Sequence, residues 1–227
     1  GLPIGISMLA SLGIFLGATV YAARFGTEAA AAHALAIRLA GLAYALSIGL
    51  THACAVRSAR RGENVVRGPA LRVALLAGLC IAAFVAAIAS PMSQYLLPDP
   101  EIAVLATYLV WLVAAMQLAD PLGAAAAGIL QGQDRTRAAM AYSMIGNWGV
   151  SAPPLLLLSS GLDLGIRGLW IALVTGAAVS AAATVAHLML RRRAGGGREP
   201  NPSDRNLPAD HGECHTAARG NAAREAA

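Results

Sequence analysis

The first 190 residues of the chain contain six long apolar segments. Short connections between these segments hold most of the charged residues. A helix that crosses a lipid bilayer needs about 20 mostly apolar residues, and each segment reaches that length. No segment alternates apolar and polar residues as a strand does, and in lipid every backbone group must bond within its own segment. We therefore predict six transmembrane helices, over residues 2–23, 29–56, 70–97, 102–130, 140–159 and 165–190.

The last part of the chain has a different composition. Residues 194–227 are rich in glycine, proline, asparagine and charge, and they contain no apolar segment that could bury a core. Segments of this kind remain disordered. The predicted fold is all-α: a polytopic membrane helix bundle of six transmembrane helices over residues 1–193, followed by a disordered cytoplasmic tail over residues 194–227.

Arginines lie mainly on alternate connections. Ten arginines follow the second, fourth and sixth predicted helices, whereas the opposite connections hold two, Arg24 and Arg167. Basic residues of membrane proteins collect on the cytoplasmic side. We therefore expect both termini of this multi-pass lobe to face the cytoplasm.

Composition and motifs argue against several classes of protein. The net charge of +5 comes from 17 basic residues that lie at membrane edges and in the tail, without interleaved aromatic residues, so we expect no nucleic-acid partner. The three cysteines lack the spacing of a metal or redox motif. Since no nucleophile–base pair, phosphate loop or metal cluster is apparent, we expect neither an enzyme nor a metal centre.

The fourth segment contains a carboxylate, Asp120, followed at once by Pro121. A charged side chain at the middle of a bilayer costs about 2.5–3.5 kcal/mol on insertion scales, and removal from water favours the protonated form of a carboxyl group. Proline removes a backbone donor and kinks a helix. The pair predicts a bent span with a site for an ion or a proton; the alternative is an aspartate that reaches water at the cytoplasmic boundary.

Three further residues are candidates for the same site. Gln117 precedes Asp120 by about one helical turn and is predicted to share its face, and Asn147 is a second amide within a span. Either amide could bind a ligand or tie helices together. Arg38, within the second segment, could be a counter-ion for Asp120 or could extend to the interface.

Histidines and the remaining prolines favour structural roles. We expect His33 to form interfacial hydrogen bonds rather than to titrate, and we expect no site role for His52 or His187. Pro153 and Pro154 interrupt the fifth segment, as a hinge or as a tolerated kink.

The order of these features resembles the C-terminal half of a multidrug and toxic compound extrusion transporter, the MATE family. The resemblance covers about residues 1–193. It rests on the opening Gly-Leu-Pro-Ile, on Ala32-His33, on Gln-Leu-Ala-Asp at 117–120, on Ala-Gly-Ile-Leu-Gln-Gly at 127–132, on Asp-Arg-Thr at 134–136 and on Asn-Trp-Gly at 147–149.

The resemblance implies one of two six-helix lobes around a central cavity, in a bacterial inner membrane, with the lipid bilayer and a small organic substrate as partners. It implies an antiporter that exports drug-like compounds in exchange for H⁺ or Na⁺ by alternating access, with Asp120 in coupling or substrate binding. Ser11 stands where NorM-like members often have glutamate, and Arg38 where asparagine is common. The first departure disfavours Na⁺, and the second disfavours a cationic substrate.

Size is the largest departure from the family. A complete member has about twelve spans, and six are predicted here, so we expect a lobe that works with an N-terminal six-helix lobe or with a second copy. Two alternatives remain open: a flippase for lipid-linked sugars from the same superfamily, and a non-transporting remnant or helper subunit.

Overall fold

The computed structural model describes residues 2–97, 99–158 and 164–195, and these residues form helices and no strand. The elements, in chain order, are α1 (Leu2–Ala22) with a 3₁₀ turn (Ala23–Phe25), α2 (Thr27–Arg61), α3 (Glu63–Leu96), α4 (Pro100–Met116), α5 (Asp120–Gly132), α6 (Thr136–Met144) with a π-helical segment (Ile145–Val150), α7 (Ala152–Leu156) and α8 (Gly165–Gly195). The all-α fold is therefore as predicted. Residues 196–227, where a disordered tail was expected, lie outside the described residues.

Five helical stretches of the described residues are long and apolar enough to cross a membrane: Met8–Phe25, Thr27–Arg61, Glu63–Leu96, Pro100–Gly132 and Gly165–Leu190. The chain is thus a multi-pass membrane protein. The predicted fifth span, residues 140–159, is not a continuous helix, because a π-helical segment and a bend at Ser151 divide it between α6 and α7. Prolines at 153 and 154 supply no backbone N–H, which prevents a regular α-helical ladder there.

Glycine and a capped proline turn mark the ends of the first helices. Gly26, with φ of 96°, separates the first helix from α2, and Gly62, with φ of 80°, separates α2 from α3. Asp99 caps α4, because its carboxylate accepts the backbone N–H of Glu101 at 2.9 Å, and Pro100 occupies the first turn. These short connections make neighbouring helices antiparallel.

Apolar residues form two separate clusters. The large cluster joins α1, α4, α7, the first parts of α2 and α8 and the last part of α3; it includes Ile14, Leu35, Val85, Leu109 and Trp170. The small cluster joins α5 and α6 with the last parts of α2 and α8 and the first part of α3; it includes Cys54, Val66, Ala74, Ile129 and Leu188. The small cluster therefore lies toward the basic end of the lobe, where α2 ends at Arg61.

Helices α2 and α5 approach closely along two glycines of α5. A Cβ atom on Gly128 would overlap the carbonyl oxygen of Thr51, and one on Gly132 would overlap that of Ala55. Two hydroxyls of α2 bond the backbone of α5: Thr51 Oγ1 donates to the carbonyl of Ala124 at 3.2 Å, and Ser58 Oγ donates to that of Ile129 at 3.2 Å. Small residues that permit such contact hold helices together in lipid, where the hydrophobic effect does not.

Candidate functional site

The fourth predicted span is broken at Gln117–Ala119, between α4 and α5. In an unbroken helix the carbonyl of Gln117 would accept the N–H of residue 121, but Pro121 has none. Helix α5 consequently starts at Asp120, which lies 12 residues before its end at Gly132, or about 18 Å along the axis. The predicted bend is confirmed, and it falls in the turn that precedes the proline.

A cavity of about 180 Å³ lies beside the start of α5. Its walls come from α1, α2, α5, α6, the π-helical segment and α8. The lining is mostly hydroxyl, amide and small apolar groups, and its polar members include Ser11, Tyr44, Thr51, Asp120, Asn147 and Thr184. The lining residues of α2 and α8 belong to the halves of those helices nearer the basic end.

Asp120 contributes a carboxylate to this cavity without a counter-ion. It is partly buried, and it forms neither an ion pair nor a side-chain hydrogen bond with any residue that the structure describes. The hydroxyl of Tyr44 lies within electrostatic reach of the carboxylate and interacts with the Ser11 hydroxyl. Because no arginine of the described ranges pairs with Asp120, an ionised carboxylate here would attract a proton or another cation.

Ser47 adds an unpartnered hydroxyl to the wall formed by α2. It lies one helical turn before Thr51, whose hydroxyl bonds the backbone of α5, and it is 3% exposed. The hydroxyl oxygen of Ser47 has no hydrogen-bond partner among the described residues, although Ser47 lines the cavity. A buried hydroxyl in this state offers a donor and an acceptor to a molecule in the cavity.

Asn147 joins the π-helical segment to α1. Its Nδ2 donates to the hydroxyl of Ser11 at 3.0 Å and to that of Ser143 at 3.3 Å, while the indole N–H of Trp148 donates to the carbonyl of Ala10 at 3.1 Å. The structure thus brings two predicted site residues, Ser11 and Asn147, together on the cavity wall. A π-helical turn re-aims successive side chains, and such turns recur at functional sites.

Gln117, the third predicted site residue, is not part of the cavity wall. Its side chain is fully buried, does not line the cavity, and leaves both amide atoms without partners among the described residues. The prediction that it shares a face with Asp120 is wrong, because that prediction required a continuous α-helix through residues 117–120. Residues 117–119 form a turn instead, and only Asp120 of the two side chains lines the cavity.

Arg38 is also placed away from the cavity. Its side chain is exposed, it is absent from the cavity lining, and it forms no ion pair with any described residue. The prediction of a counter-ion for Asp120 is therefore wrong, and Arg38 is instead exposed on the surface of the lobe.

His33 is held in one tautomer at the other end of the lobe. The indole N–H of Trp170 donates to its Nδ1 at 3.1 Å, so Nε2 carries the hydrogen and donates to Thr19 Oγ1 at 3.1 Å. The hydroxyl of Thr19 donates in turn to the carbonyl of Phe15 at 2.9 Å. The expected hydrogen-bonding role of His33 is confirmed, and it joins α1, α2 and α8.

Sequence reasoning missed three site residues of α2: Tyr44, Ser47 and Thr51. They recur at positions i, i+3 and i+7, the spacing of one helix face. A polar stripe inside an apolar span is the signal that would have identified them. The exposed His52, for which no site role was expected, also borders the cavity.

Residues 3–157 match the model of the MatE family. The chain is 34% identical over 191 residues to a probable multidrug resistance protein NorM of Xylella fastidiosa strain Temecula1, which covers 80% of this chain and 40% of the relative. It is 30% identical over 207 residues to a probable NorM of Agrobacterium fabrum, with coverage of 85% and 44%. The chain thus spans less than half the length of these relatives.

Solved structures show the same fold. An outward-facing multidrug resistance MATE family transporter of the MOP superfamily aligns with a TM-score of 0.74 at 21% identity, over 84% of this chain and 44% of the other. The eukaryotic MATE transporter AtDTX14 aligns with a TM-score of 0.75 at 17% identity, with coverage of 84% and 44%. The matched relatives are transporters and not enzymes, as was expected of this chain.

Proposed function

The chain belongs to the MatE family, and on that premise we propose that it is the C-terminal lobe of a multidrug exporter that exchanges organic compounds for H⁺ or Na⁺. The proposal places both termini in the cytoplasm and the lobe in a bacterial inner membrane. Its partners are the lipid bilayer, a small organic substrate, and a second six-helix lobe supplied by an N-terminal half or by another copy.

One observation carries the proposal: the Asp120 carboxylate faces a cavity without an ion pair among the described residues. A carboxylate within an apolar span is expensive unless a cation or proton accompanies it. The cavity supplies room for that companion and supplies neutral hydroxyls, among them Ser47 and Tyr44, that can coordinate it. Asp120 is therefore the residue that we assign to coupling.

Competition for one negative charge explains exchange. When Asp120 holds a proton, it attracts a positively charged compound weakly; when it is ionised, a proton, Na⁺ or an organic cation can neutralise it. Only one of them occupies the carboxylate at a time, so arrival of one displaces another. The membrane potential contributes about 2.3 kcal/mol per charge per 100 mV to proton entry, and rocking of the lobe against its partner exposes the site to each side in turn.

Ser11 and Asn147 complete the wall as neutral groups. The family resemblance leads us to expect a second carboxylate at the position of Ser11. The Ser11 hydroxyl instead accepts a hydrogen bond from Asn147 at 3.0 Å. With one carboxylate, the site fits a coupling proton better than a fully coordinated Na⁺, which prefers several oxygen ligands. We therefore favour proton coupling.

Asp120→Asn is the variant that tests the proposal. It keeps the size of the side chain and removes its titratable charge, so proton-driven efflux of ethidium, a monovalent organic cation, should fall to background in proteoliposomes that hold this lobe with its partner lobe. Asp134→Asn is the matched control, because Asp134 is an exposed aspartate in the connection after α5 and does not line the cavity.

Two results of this assay decide whether Asp120 couples efflux to proton entry. Efflux that survives in Asp134→Asn and disappears in Asp120→Asn supports the assignment. Wild-type efflux in both variants removes Asp120 from the mechanism.

A further inference from the structure

We propose that the lobe contains an internal hinge at the level of Asp120, at which α5 and α6 change their angle to α4 and α7 while α2, α3 and α8 run unbroken through both apolar clusters. The hinge passes through the α4–α5 break and through the π-helical segment between α6 and α7. Transporter lobes that rock as rigid units would have no need of it. The proposal depends on packing within the lobe and not on the identity of the transported compound.

The two interruptions of helical structure coincide with the boundary between the clusters. Helix α4 contributes to the large cluster and α5 to the small one, with the Gln117–Ala119 turn between them. Helix α6 contributes to the small cluster through Ala139, and α7 to the large one through Leu155, with the π-helical segment between them. Each break thus separates residues that pack in different cores.

Backbone bonding at the first break is incomplete. The carbonyls of Gln117 and Leu118 accept no backbone hydrogen bond from the described residues, whereas the N–H of Ala119 bonds Met116 at 3.0 Å and that of Gly123 bonds Ala119 at 3.0 Å. The N–H groups of Leu118 and Ala119 still bond carbonyls of α4 by shorter i→i−3 contacts, so the turn is held to α4 by backbone bonds, but the two carbonyls that would continue the α-helical ladder into α5 have no backbone donor. The ladder is therefore weakest between Gln117 and Asp120.

Gly78 of α3 forms a contact surface for this turn. A Cβ atom at Gly78 would lie 2.6 Å from the carbonyl oxygen of Gln117 and 3.5 Å from the ring of Pro121. Because Gly78 has no side chain, no atom beyond the backbone of α3 lies between α3 and the turn. The angle between α4 and α5 can therefore change without a clash against a side chain of α3 at this position. Gly78 is buried, which means that the contact lies inside the bundle.

The side chain of Gln117 gives an independent reason to expect a second arrangement. Both of its amide atoms are buried and lack partners among the described residues, and a buried amide in this state is unfavourable. A change in the angle between α4 and α5 brings new groups or water to this amide. Helix α5 itself stays with α2, because Thr51 and Ser58 bond its backbone.

Movement at this hinge would change the shape of the cavity. Asp120 begins α5, whose later residues pack in the small cluster, whereas the facing part of α1 leads into the large cluster at Ile14. The separation between the carboxylate and the α1 wall would then differ between the two arrangements. The hinge thereby links the position of Asp120 to the conformation of the lobe.

Spin-label distances test the hinge in the full chain in lipid nanodiscs. With the three native cysteines replaced by serine, one label replaces exposed Val104 of α4 and the other exposed Asp134 after α5. We expect a broad or two-peaked distance distribution for this pair. The control pair, Val104 with exposed Phe84, joins α4 to the part of α3 that packs in the large cluster and should give a single narrow peak.

Pro121→Ala restores the N–H that Gln117 lacks and should narrow the distribution of the first pair to the width of the control pair. Pro91→Ala is the matched control, because Pro91 lies inside α3, which continues through it without a break, and it should leave the distribution broad. A single narrow peak in the wild-type chain, or a distribution that Pro121→Ala does not alter, would overturn the hinge.

Hydrogen exchange of the unmodified chain provides a second test that needs no variant. Amides of residues 117–120 should exchange at least tenfold faster than those of residues 109–113 in the middle of α4, because the turn opens without unfolding either cluster. Equal protection across the break would contradict the proposal even if Pro121→Ala fails to fold.

Discussion

Substitution of Gly128 by alanine tests the close packing that places Asp120 against α2. The new Cβ atom would overlap the carbonyl oxygen of Thr51 and would lie 3.0 Å from Cβ of Cys54. Backbone atoms cannot rotate away as a side chain can, so α2 and α5 must separate. Overpacking of this kind costs about 1–3 kcal/mol.

Separation of the helices also weakens a hydrogen bond. The O–H of Thr51 is shared between the carbonyl of Ser47 at 3.0 Å and that of Ala124 at 3.2 Å, so a small outward shift of α5 breaks the longer contact and leaves the hydroxyl bonded within α2. Its loss adds about 0.5–1 kcal/mol, the lower part of the range for a hydrogen bond. Together these terms predict a loss of roughly 2–4 kcal/mol in the free energy of unfolding, or about 4–16 °C in Tm for a domain of this size.

The assay is thermal unfolding of the purified chain in detergent, followed by circular dichroism. Gly49→Ala is the matched control, because a Cβ atom on this glycine of α2 would have nothing within 4 Å. Alanine is a better helix former than glycine, so the control should leave Tm unchanged or raise it. Equal Tm values for Gly128→Ala and Gly49→Ala would refute the claim that contact at Gly128 determines the spacing of α2 and α5.

Two further predictions concern the ends of the lobe. Glu63→Gln should lower the free energy of unfolding by about 1–3 kcal/mol, which is more than a surface ion pair contributes. The reason is that Glu63 lies 3.8 Å from the nearly buried Arg67 and 3.6 Å from Arg135. Unchanged thermal stability would show that these ion pairs do not stabilise the lobe. Asp99→Ala removes the acceptor of the Glu101 N–H and should cost about 1 kcal/mol, whereas Asp99→Asn should retain most of the stability; equal losses would reject the capping bond.

Sequence patterns predicted the fold well where one physical rule acts alone. Length and hydropathy located the long spans, because each segment of about 20 apolar residues can be counted directly in the sequence. The break beside Pro121 followed from a missing backbone donor. These features depend on neighbouring residues, which a single sequence displays directly.

Features that depend on tertiary contacts were harder to predict. The side chain of Gln117 turned away from Asp120 because the break extends over three residues, and a proline alone does not fix the length of a break. The direction of Arg38 depends on how α2 is rotated in the bundle, which is set by contacts with other helices. The unpartnered hydroxyl of Ser47 becomes apparent only when α5 is packed beside it.

The central claim is that Asp120 gains and loses a proton inside the lobe, and infrared difference spectroscopy of the chain in nanodiscs tests it most directly. We predict a protonated carboxyl band in the spectrum of the wild-type chain. Asp120→Asn should abolish this band, Asp134→Asn should leave it intact, and ethidium should reduce it by displacing the proton. A spectrum in which Asp120→Asn removes no carboxyl band at any pH, or in which ethidium leaves that band unchanged, would contradict the claim.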